Sequence, residues 1–196
     1  MTAPPDQDLD PRRAAILAAA SEVFARYGFR RTAMGDIASQ AGLSRAALYL
    51  HYRNKQDIFR SIVQAYFALA ETRMRAALAA GTDPVTTLTA AFEAKVGPEM
   101  APLFESPHGE ELLDANFATA ADIVTQGEAR LSALLAAWLE AQRDRGAIVF
   151  DGPSPAMAAT LIAALGGLKH AGGSYAAIRA SMARLAQVFG RGLRPS

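Results

Sequence analysis

A short stretch of the chain, residues 32–59, carries side chains that can contact phosphates and base edges. It reads TAMGDIASQAGLSRAALYLHYRNKQDIF. Arginine can donate to guanine acceptors or to phosphate, tyrosine and histidine can donate to phosphate oxygens, and small residues let a helix approach a groove closely. This chemistry predicts recognition of double-stranded DNA. The candidate contacts are Ser44, Arg45, Ala46, Tyr49, His51 and Lys55.

Two short helices joined by a glycine turn would position these side chains. Thr32 is a predicted N-cap of the first helix, and Gly42 ends it because glycine adopts the left-handed conformation at little cost. Ser44 is the predicted N-cap of the second helix. Leu48 and Tyr52, four residues apart, share one face of that helix and should pack inward. The pattern is typical of a helix-turn-helix, whose second helix enters the major groove.

Further helix starts flank this unit on both sides. Asp10 and Pro11 are a capping residue and a first-turn proline, and they predict a first helix that ends at Gly28. Asn54 predicts the start of a long helix that should extend towards Ala80, and its N-terminus would form a phosphate site together with Lys55.

The alternative to DNA binding is that the Arg, Tyr and His side chains lie on a solvated helix face without a functional role. A bare helix-glycine-helix string occurs in many proteins that never contact DNA. Here three consecutive helix starts, a glycine at the tight turn and basic groups on the presented side occur together. This combination favours DNA binding over the alternative.

The stretch from Ile16 to Ile62 resembles the TetR family of one-component repressors. The resemblance covers the opening helix ILAAASEVFARYGF and the helix-turn-helix pattern, almost position for position. It implies an all-α fold, with an N-terminal three-helix DNA-binding domain and a larger C-terminal domain for ligand binding and dimerisation. Two positions depart from the commonest pattern, because Ala33 and Ala47 stand where a hydroxyl residue is frequent. By resemblance, phosphate and base contacts fall on Thr32, Arg45, Tyr49, His51 and Lys55.

Composition and charge agree with this interpretation. The chain has 196 residues, 51% of them hydrophobic, and no cysteine, so it is predicted to be globular without disulfides or thiolate metal sites. Residues 1–60 carry nine basic against six acidic residues, whereas residues 61–196 carry eleven against thirteen. The net charges of +3 and −2 place the basicity on the proposed DNA-binding region, as phosphate neutralisation requires.

We predict three segments. Residues 1–11 lack the basic start and apolar run of a signal peptide and would form a flexible tail, so a cytoplasmic location is expected. Residues 12–53 would form the DNA-binding domain. Residues 54–196 would form the helical domain for effector binding and dimerisation.

The C-terminal region is predicted to be helical at 84–96, 110–145, 154–172 and 175–191, with loop and short turns at 97–109. A break near Gly127 is expected in the second of these segments. Aromatic and methionine residues in this region could line an apolar cavity for a small organic effector, although such residues are more often plain core. The candidate lining residues are Phe67, Phe92, Met100, Leu103, Phe104, Phe117, Leu134 and Trp138.

The last two helices are predicted to form the interface of a homodimer. Small residues recur every four positions in the first helix, and larger apolar residues lie on one side of the second, so two copies could make a four-helix interface. Packing within one chain is the alternative. A membrane span is rejected, because Lys169 follows well short of about 20 apolar residues. The predicted interface residues are Ala159, Ala163, Gly167, Ala171, Ile178, Met182, Leu185 and Phe189.

Catalysis and metal binding find little support. His108 lies near three glutamates in sequence, but a single histidine with surface carboxylates fits no compact ligand set. No nucleophile motif or phosphate loop is present, so no enzyme activity, metal or cofactor is expected. We therefore predict a homodimeric regulator, most simply a repressor released from a near-palindromic operator by a small effector. The alternative is a DNA-binding architectural or co-regulator protein without an effector.

Overall fold

The chain folds into helices that follow one another along the sequence. The computed structural model describes residues 10–81, 83–170 and 173–195, and their side chains except at 115–117 and 169–170. This part of the chain contains no strand, which confirms the predicted all-α fold. In chain order the elements are α1 (Pro11–Tyr27), α2 (Met34–Gln40), α3 (Arg45–Tyr49), α4 (Lys55–Ala80), α5 (Pro84–Lys95), a 3₁₀ turn (Pro98–Met100), α6 (Ala101–Glu105), α7 (Gly109–Asp144), α8 (Ser154–His170) and α9 (Tyr175–Gly192).

Capping side chains set the starts of several helices where the sequence predicts them. The Asp10 carboxylate accepts from the Arg12 amide at 3.1 Å, with Pro11 in the first turn. The Asn54 side chain accepts from the Asp57 amide at 2.8 Å at the start of α4. These bonds satisfy amides that have no partner within their helices.

The predicted cap of α2 is wrong. Ala33, not Thr32, is the N-cap residue, and the Asp36 carboxylate accepts from the Ala33 amide at 2.8 Å. Thr32 is only 2% exposed, and its hydroxyl donates to the Gly28 carbonyl at 2.7 Å. The Thr32 side chain is therefore buried within the α1–α2 loop, which comprises residues 28–33.

The chain divides into two compact units. Unit 1 comprises residues up to Val63 and Ser106–Ala120, and unit 2 comprises Gln64–Glu105 and Ala121–Ser196. The division that we predict at residues 53 and 54 falls inside unit 1, because the first turns of α4 complete its core.

Three aromatic rings form the centre of unit 1. The ring centroid of Phe24 lies 5.3 Å from that of Phe29 and 5.8 Å from that of Phe59, and the Phe29 and Phe59 centroids are 5.0 Å apart. Such tilted and edge-on pairs stabilise a core beyond their buried area. The cluster joins α1, the α1–α2 loop and α4.

Unit 2 packs α5 closely against α9. A Cβ placed on Gly190 would lie 2.6 Å from the Val85 Cα, so this approach requires glycine. Ile178 and Met182 of α9 are buried in the same unit. Both residues belong to the core of a single chain, contrary to our expectation that they face a second copy.

Helix α7 runs through Gly127, where a break was predicted. A Cβ there would lie 2.3 Å from ring carbons of Phe67, so the glycine serves the contact between α4 and α7. The helix departs from helical geometry instead at Ala120, with φ −135° and ψ 24°. This residue is the last of the unit 1 segment.

Unit 2 also holds an ion pair between a buried lysine and a partly exposed glutamate. Lys95 is fully buried, and its ammonium lies 2.7 Å from a Glu128 carboxylate oxygen. The Tyr66 hydroxyl donates to the Lys95 carbonyl at 2.5 Å, and burial raises the pKa of this hydroxyl far above its ordinary value. Burial without these partners would be costly, so the pairing fixes the end of α5.

Candidate nucleic-acid interface

A tight turn connects α2 to α3. Gly42 has a φ of +64°, which L side chains rarely adopt. The Ala41 amide donates to the Ile37 carbonyl at 2.9 Å, and the Leu43 amide donates to the Ala38 carbonyl at 2.8 Å. These bonds satisfy the last carbonyls of α2 and reverse the chain. The turn thus has the form that a helix-turn-helix requires.

Helix α3 has one buried side and one exposed side. The Ser44 side chain accepts from the Ala47 amide at 3.1 Å and sets the start of the helix. Leu48 is buried, as is Tyr52 beyond the helix end, so the predicted inward pair is confirmed. The helix itself ends at Tyr49, earlier than the predicted run to residue 52. The exposed side carries Arg45, Ala46, Tyr49 and Leu50.

Arg45 and Tyr49 lie together on this exposed side. The guanidinium is 3.5 Å from the Tyr49 hydroxyl oxygen and 5.7 Å above the tyrosine ring centroid. The hydrogen bond to Tyr49 raises the pKa of Arg45, so the cation is retained. Tyr49 is 43% exposed and Leu50 is 87% exposed, which leaves donors and an apolar group available to a ligand.

Lys55 is engaged within unit 1. Its ammonium donates to the carbonyls of Phe29, Arg30 and Thr32 at 2.7, 2.9 and 2.8 Å. It also lies 4.9 Å from the Phe29 ring centroid. An ammonium has three donors, so these carbonyls occupy all of them. The structure places Lys55 against the α1–α2 loop rather than on a surface available to phosphate.

The remaining predicted DNA contacts differ in their exposure to solvent. Ser44 is exposed and His51 is half-buried, and both flank α3 in sequence. Thr32 is buried with its hydroxyl directed to Gly28, so this hydroxyl does not lie on the surface. Arg45, Ala46 and Tyr49 thus form the exposed centre of the predicted set.

A distant segment completes the α1–α2 loop. The Glu111 carboxylate accepts from the Arg30 amide at 2.7 Å, and the Ser106 hydroxyl donates to the Ala25 carbonyl at 2.6 Å. The His108 ring nitrogen lies 3.6 Å from Glu111. No local pattern in the sequence predicts that a segment about 80 residues away contacts the loop, so this role of Glu111 could not be predicted. No three potential metal ligands come together among the described residues.

Some of the predicted effector residues belong to the hydrophobic core. Phe67, Phe92 and Trp138 are buried, whereas Met100, Leu103, Phe104 and Leu134 are half-buried. The Phe117 side chain lies outside the described residues. Among the residues that the structure describes, only the Trp138 indole nitrogen is a fully buried side-chain donor without an acceptor.

The predicted interface residues are exposed on α8 but half-buried or buried on α9. Ala159, Ala163 and Gly167 are exposed on α8. Leu185 and Phe189 are half-buried, and Ala171 lies outside the described residues. No helix in the described ranges is long and apolar enough to cross a membrane.

Comparison with known proteins identifies the N-terminal segment. Residues 16–62 match the family model described as bacterial regulatory proteins, tetR family. The chain is 38% identical over 85 residues to the HTH-type transcriptional activator FasR of Mycolicibacterium smegmatis, covering 43% of this chain and 39% of FasR. It is 42% identical over 66 residues to the HTH-type transcriptional repressor BepR of Brucella suis, covering 33% of this chain and 32% of BepR. The matches thus span about two fifths of these relatives or less.

The similarity of fold extends over nearly the whole chain. The crystal structure of a TetR-family transcriptional regulator from Rhodococcus sp. superposes with a TM-score of 0.71 at 20% identity. The superposition covers 92% of this chain and all of that one. At this identity the likeness establishes the fold alone.

Proposed function

The chain belongs to the TetR family of regulatory proteins through its residues 16–62, and from this premise we propose that it is a DNA-binding transcriptional regulator acting in the cytoplasm. The observation that carries the proposal is the exposed side of α3. Arg45, Ala46 and Tyr49 are presented to solvent by a helix whose other side is buried and whose turn is fixed. This side would enter the major groove.

The test is selection of binding sites from random DNA duplexes, followed by affinity measurement at several salt concentrations. We expect enrichment of a defined sequence and an affinity that falls steeply with salt, because phosphate contacts release counterions. Arg45→Ala should weaken binding, whereas Arg145→Ala, which removes an exposed cation just beyond the end of α7, should not. If no duplex is enriched, or if salt has no effect, the proposal fails.

We further propose that two copies associate through α8 and bind a near-palindromic operator. Exposed small residues at Ala159, Ala163 and Gly167 support this, because they allow another helix to approach closely. A two-fold dimer would present two copies of α3 about one DNA turn or a multiple apart.

A charged side chain on this face tests the dimer. Ala163→Glu should convert a dimer into a monomer in light scattering after gel filtration. Ala137→Glu, at an exposed alanine of α7, is the matched control. A wild-type protein that is monomeric at micromolar concentration would contradict the proposal.

We propose that a small molecule binds in unit 2 and releases the DNA. The buried Trp138 indole supports this, because a bound molecule with an acceptor atom would satisfy its unpartnered N–H. Release requires that the molecule bind the DNA-free conformation more tightly than the DNA-bound one. Under this hypothesis the protein acts as a repressor.

Trp138 is the only tryptophan of the chain, so its fluorescence provides a direct assay. We expect compounds that raise the melting temperature in a screen to change the indole emission and to dissociate the DNA complex. Trp138→Phe should weaken their binding without altering DNA affinity in their absence. If no compound from a broad screen does so, an architectural or co-regulator function without an effector is favoured.

A further inference from the structure

The α1–α2 loop depends on a carboxylate that lies outside the helix-turn-helix motif. Glu111, in the first turn of α7, accepts from the Arg30 amide at 2.7 Å. The same carboxylate covers Gly28, where an added Cβ would lie 2.4 Å from a Glu111 oxygen. Gly28 has a φ of +82°, so its backbone conformation favours glycine, and any added side chain would also displace the Glu111 carboxylate.

This loop sets the position of the helix-turn-helix. It leads directly into α2, whose C-terminal turn sets the start of α3. Lys55 holds three carbonyls of the loop, and Glu111 holds the amide of Arg30 between them. The cation and the anion therefore bind complementary groups of one short segment.

A second contact holds the Glu111 segment in place. The Ser106 hydroxyl donates to the Ala25 carbonyl in the last turn of α1, and it accepts from the His108 amide at 2.9 Å. The segment is thus attached at the end of α1 and again at the loop that follows. Glu111 itself is about three-quarters buried.

We propose that Glu111 is a positioning residue for DNA binding, which holds the α1–α2 loop so that α2 and α3 present Arg45 and Tyr49 in the geometry that duplex DNA requires. The inference rests on the proposed DNA-binding function. It assigns a role in that function to a residue beyond the segment 16–62 that carries the family match.

Simple electrostatics predicts the opposite effect, which makes the inference testable. An acidic side chain close to a DNA-binding surface repels phosphate, so its removal should tighten binding. If Glu111 positions the loop, its removal should weaken binding instead. Glu110, an exposed acid on the same helical turn, is the matched control.

The experiment measures DNA affinity of the full chain for a selected duplex. We expect Glu111→Ala to weaken binding about fivefold, since a hydrogen bond to a charged acceptor is lost. The dependence on salt should stay unchanged, because the number of phosphate contacts is the same. Glu111→Gln keeps an acceptor for the Arg30 amide and should restore affinity to within about twofold of the wild type. Glu110→Ala should bind equally or more tightly.

Two further measurements keep the outcome decisive. Hydrogen exchange at the Arg30 amide should accelerate in Glu111→Ala and remain slow in Glu111→Gln. If the alanine variant does not fold, Glu111→Asp preserves the charge but shortens the side chain, and it should weaken binding where electrostatics predicts no change.

The possible failures are distinct. A wild-type protein that binds no duplex overturns the DNA-binding function and the positioning role with it. A wild-type protein that binds, together with Glu111→Ala and Glu111→Asp variants that bind as tightly as Glu110→Ala, overturns the positioning role alone.

Discussion

Replacing Lys55 with methionine separates two roles that this residue could have. Methionine keeps an unbranched apolar side chain but removes the ammonium, which donates to the carbonyls of Phe29, Arg30 and Thr32. If Lys55 holds the loop, the variant loses three hydrogen bonds within unit 1. If Lys55 contacts phosphate, the variant loses one ionic contact with DNA and little stability.

The structure gives the size of the first effect. With a net value of about 1 kcal/mol for each bond at a half-buried site, the loss is about 3 kcal/mol of unfolding free energy. For a chain of this length, each kcal/mol lowers the melting temperature by about 2 to 4 °C, so we expect a fall of about 6 to 12 °C. Loss of one phosphate contact would instead reduce the slope of log affinity against log salt by about 1.

Thermal unfolding and salt-dependent DNA affinity of the same preparation decide between these outcomes. Arg53→Met is the matched control, because Arg53 lies two residues away and its side chain is 94% exposed. It should leave the melting temperature nearly unchanged. A Lys55→Met protein that melts with the wild type and shows a reduced salt slope would refute the loop role.

Three further substitutions should affect DNA affinity, the stability of the α1–α2 loop and the pH dependence of stability, respectively. Arg45→Ala should cost about 1 to 3 kcal/mol of binding to a selected duplex and relax the preference at one base pair, as read by repeating the selection; equal losses on all duplexes would indicate a phosphate contact instead. Thr32→Val removes the donor to the Gly28 carbonyl and should lower the unfolding free energy by about 1 kcal/mol in urea, with an unchanged salt slope of DNA binding. Hydrogen bonds from the Thr86 amide and from Arg194 lower the pKa of the Asp83 carboxyl in the folded protein. The unfolded chain therefore binds a proton at Asp83 more readily than the folded chain does. The stability that the ionised Asp83 contributes is lost as pH falls through its folded-state pKa. Asp83→Asn should therefore flatten the loss of stability below about pH 4, measured by melting temperature against pH.

The helix starts could be predicted because the signals are local. Asp10, Ser44 and Asn54 each accept from an amide two or three residues away, so sequence spacing contains the whole interaction. The inward pair of Leu48 and Tyr52 follows from helical periodicity in the same way. The family resemblance added the overall fold to these local elements.

Residues whose partners lie far along the chain could not be assigned. Lys55 meets carbonyls that precede it by 23 to 26 residues, and Glu111 meets an amide 81 residues away. A lysine at a helix start has the same local pattern whether it binds phosphate or backbone. Only the path of the α1–α2 loop decides between these partners, and the same limitation hid the burial of Ile178 and Met182.

The contact between Gly127 and Phe67 limits how these helices can diverge in evolution. With ring carbons 2.3 Å from where a Cβ would stand, even alanine at 127 would force the phenylalanine ring to move. In sequences that descend from this one, a larger residue at position 127 of α7 should therefore occur together with a smaller residue at position 67 of α4. Substitutions at positions 67 and 127 should thus be correlated, although the two positions are 60 residues apart in the sequence.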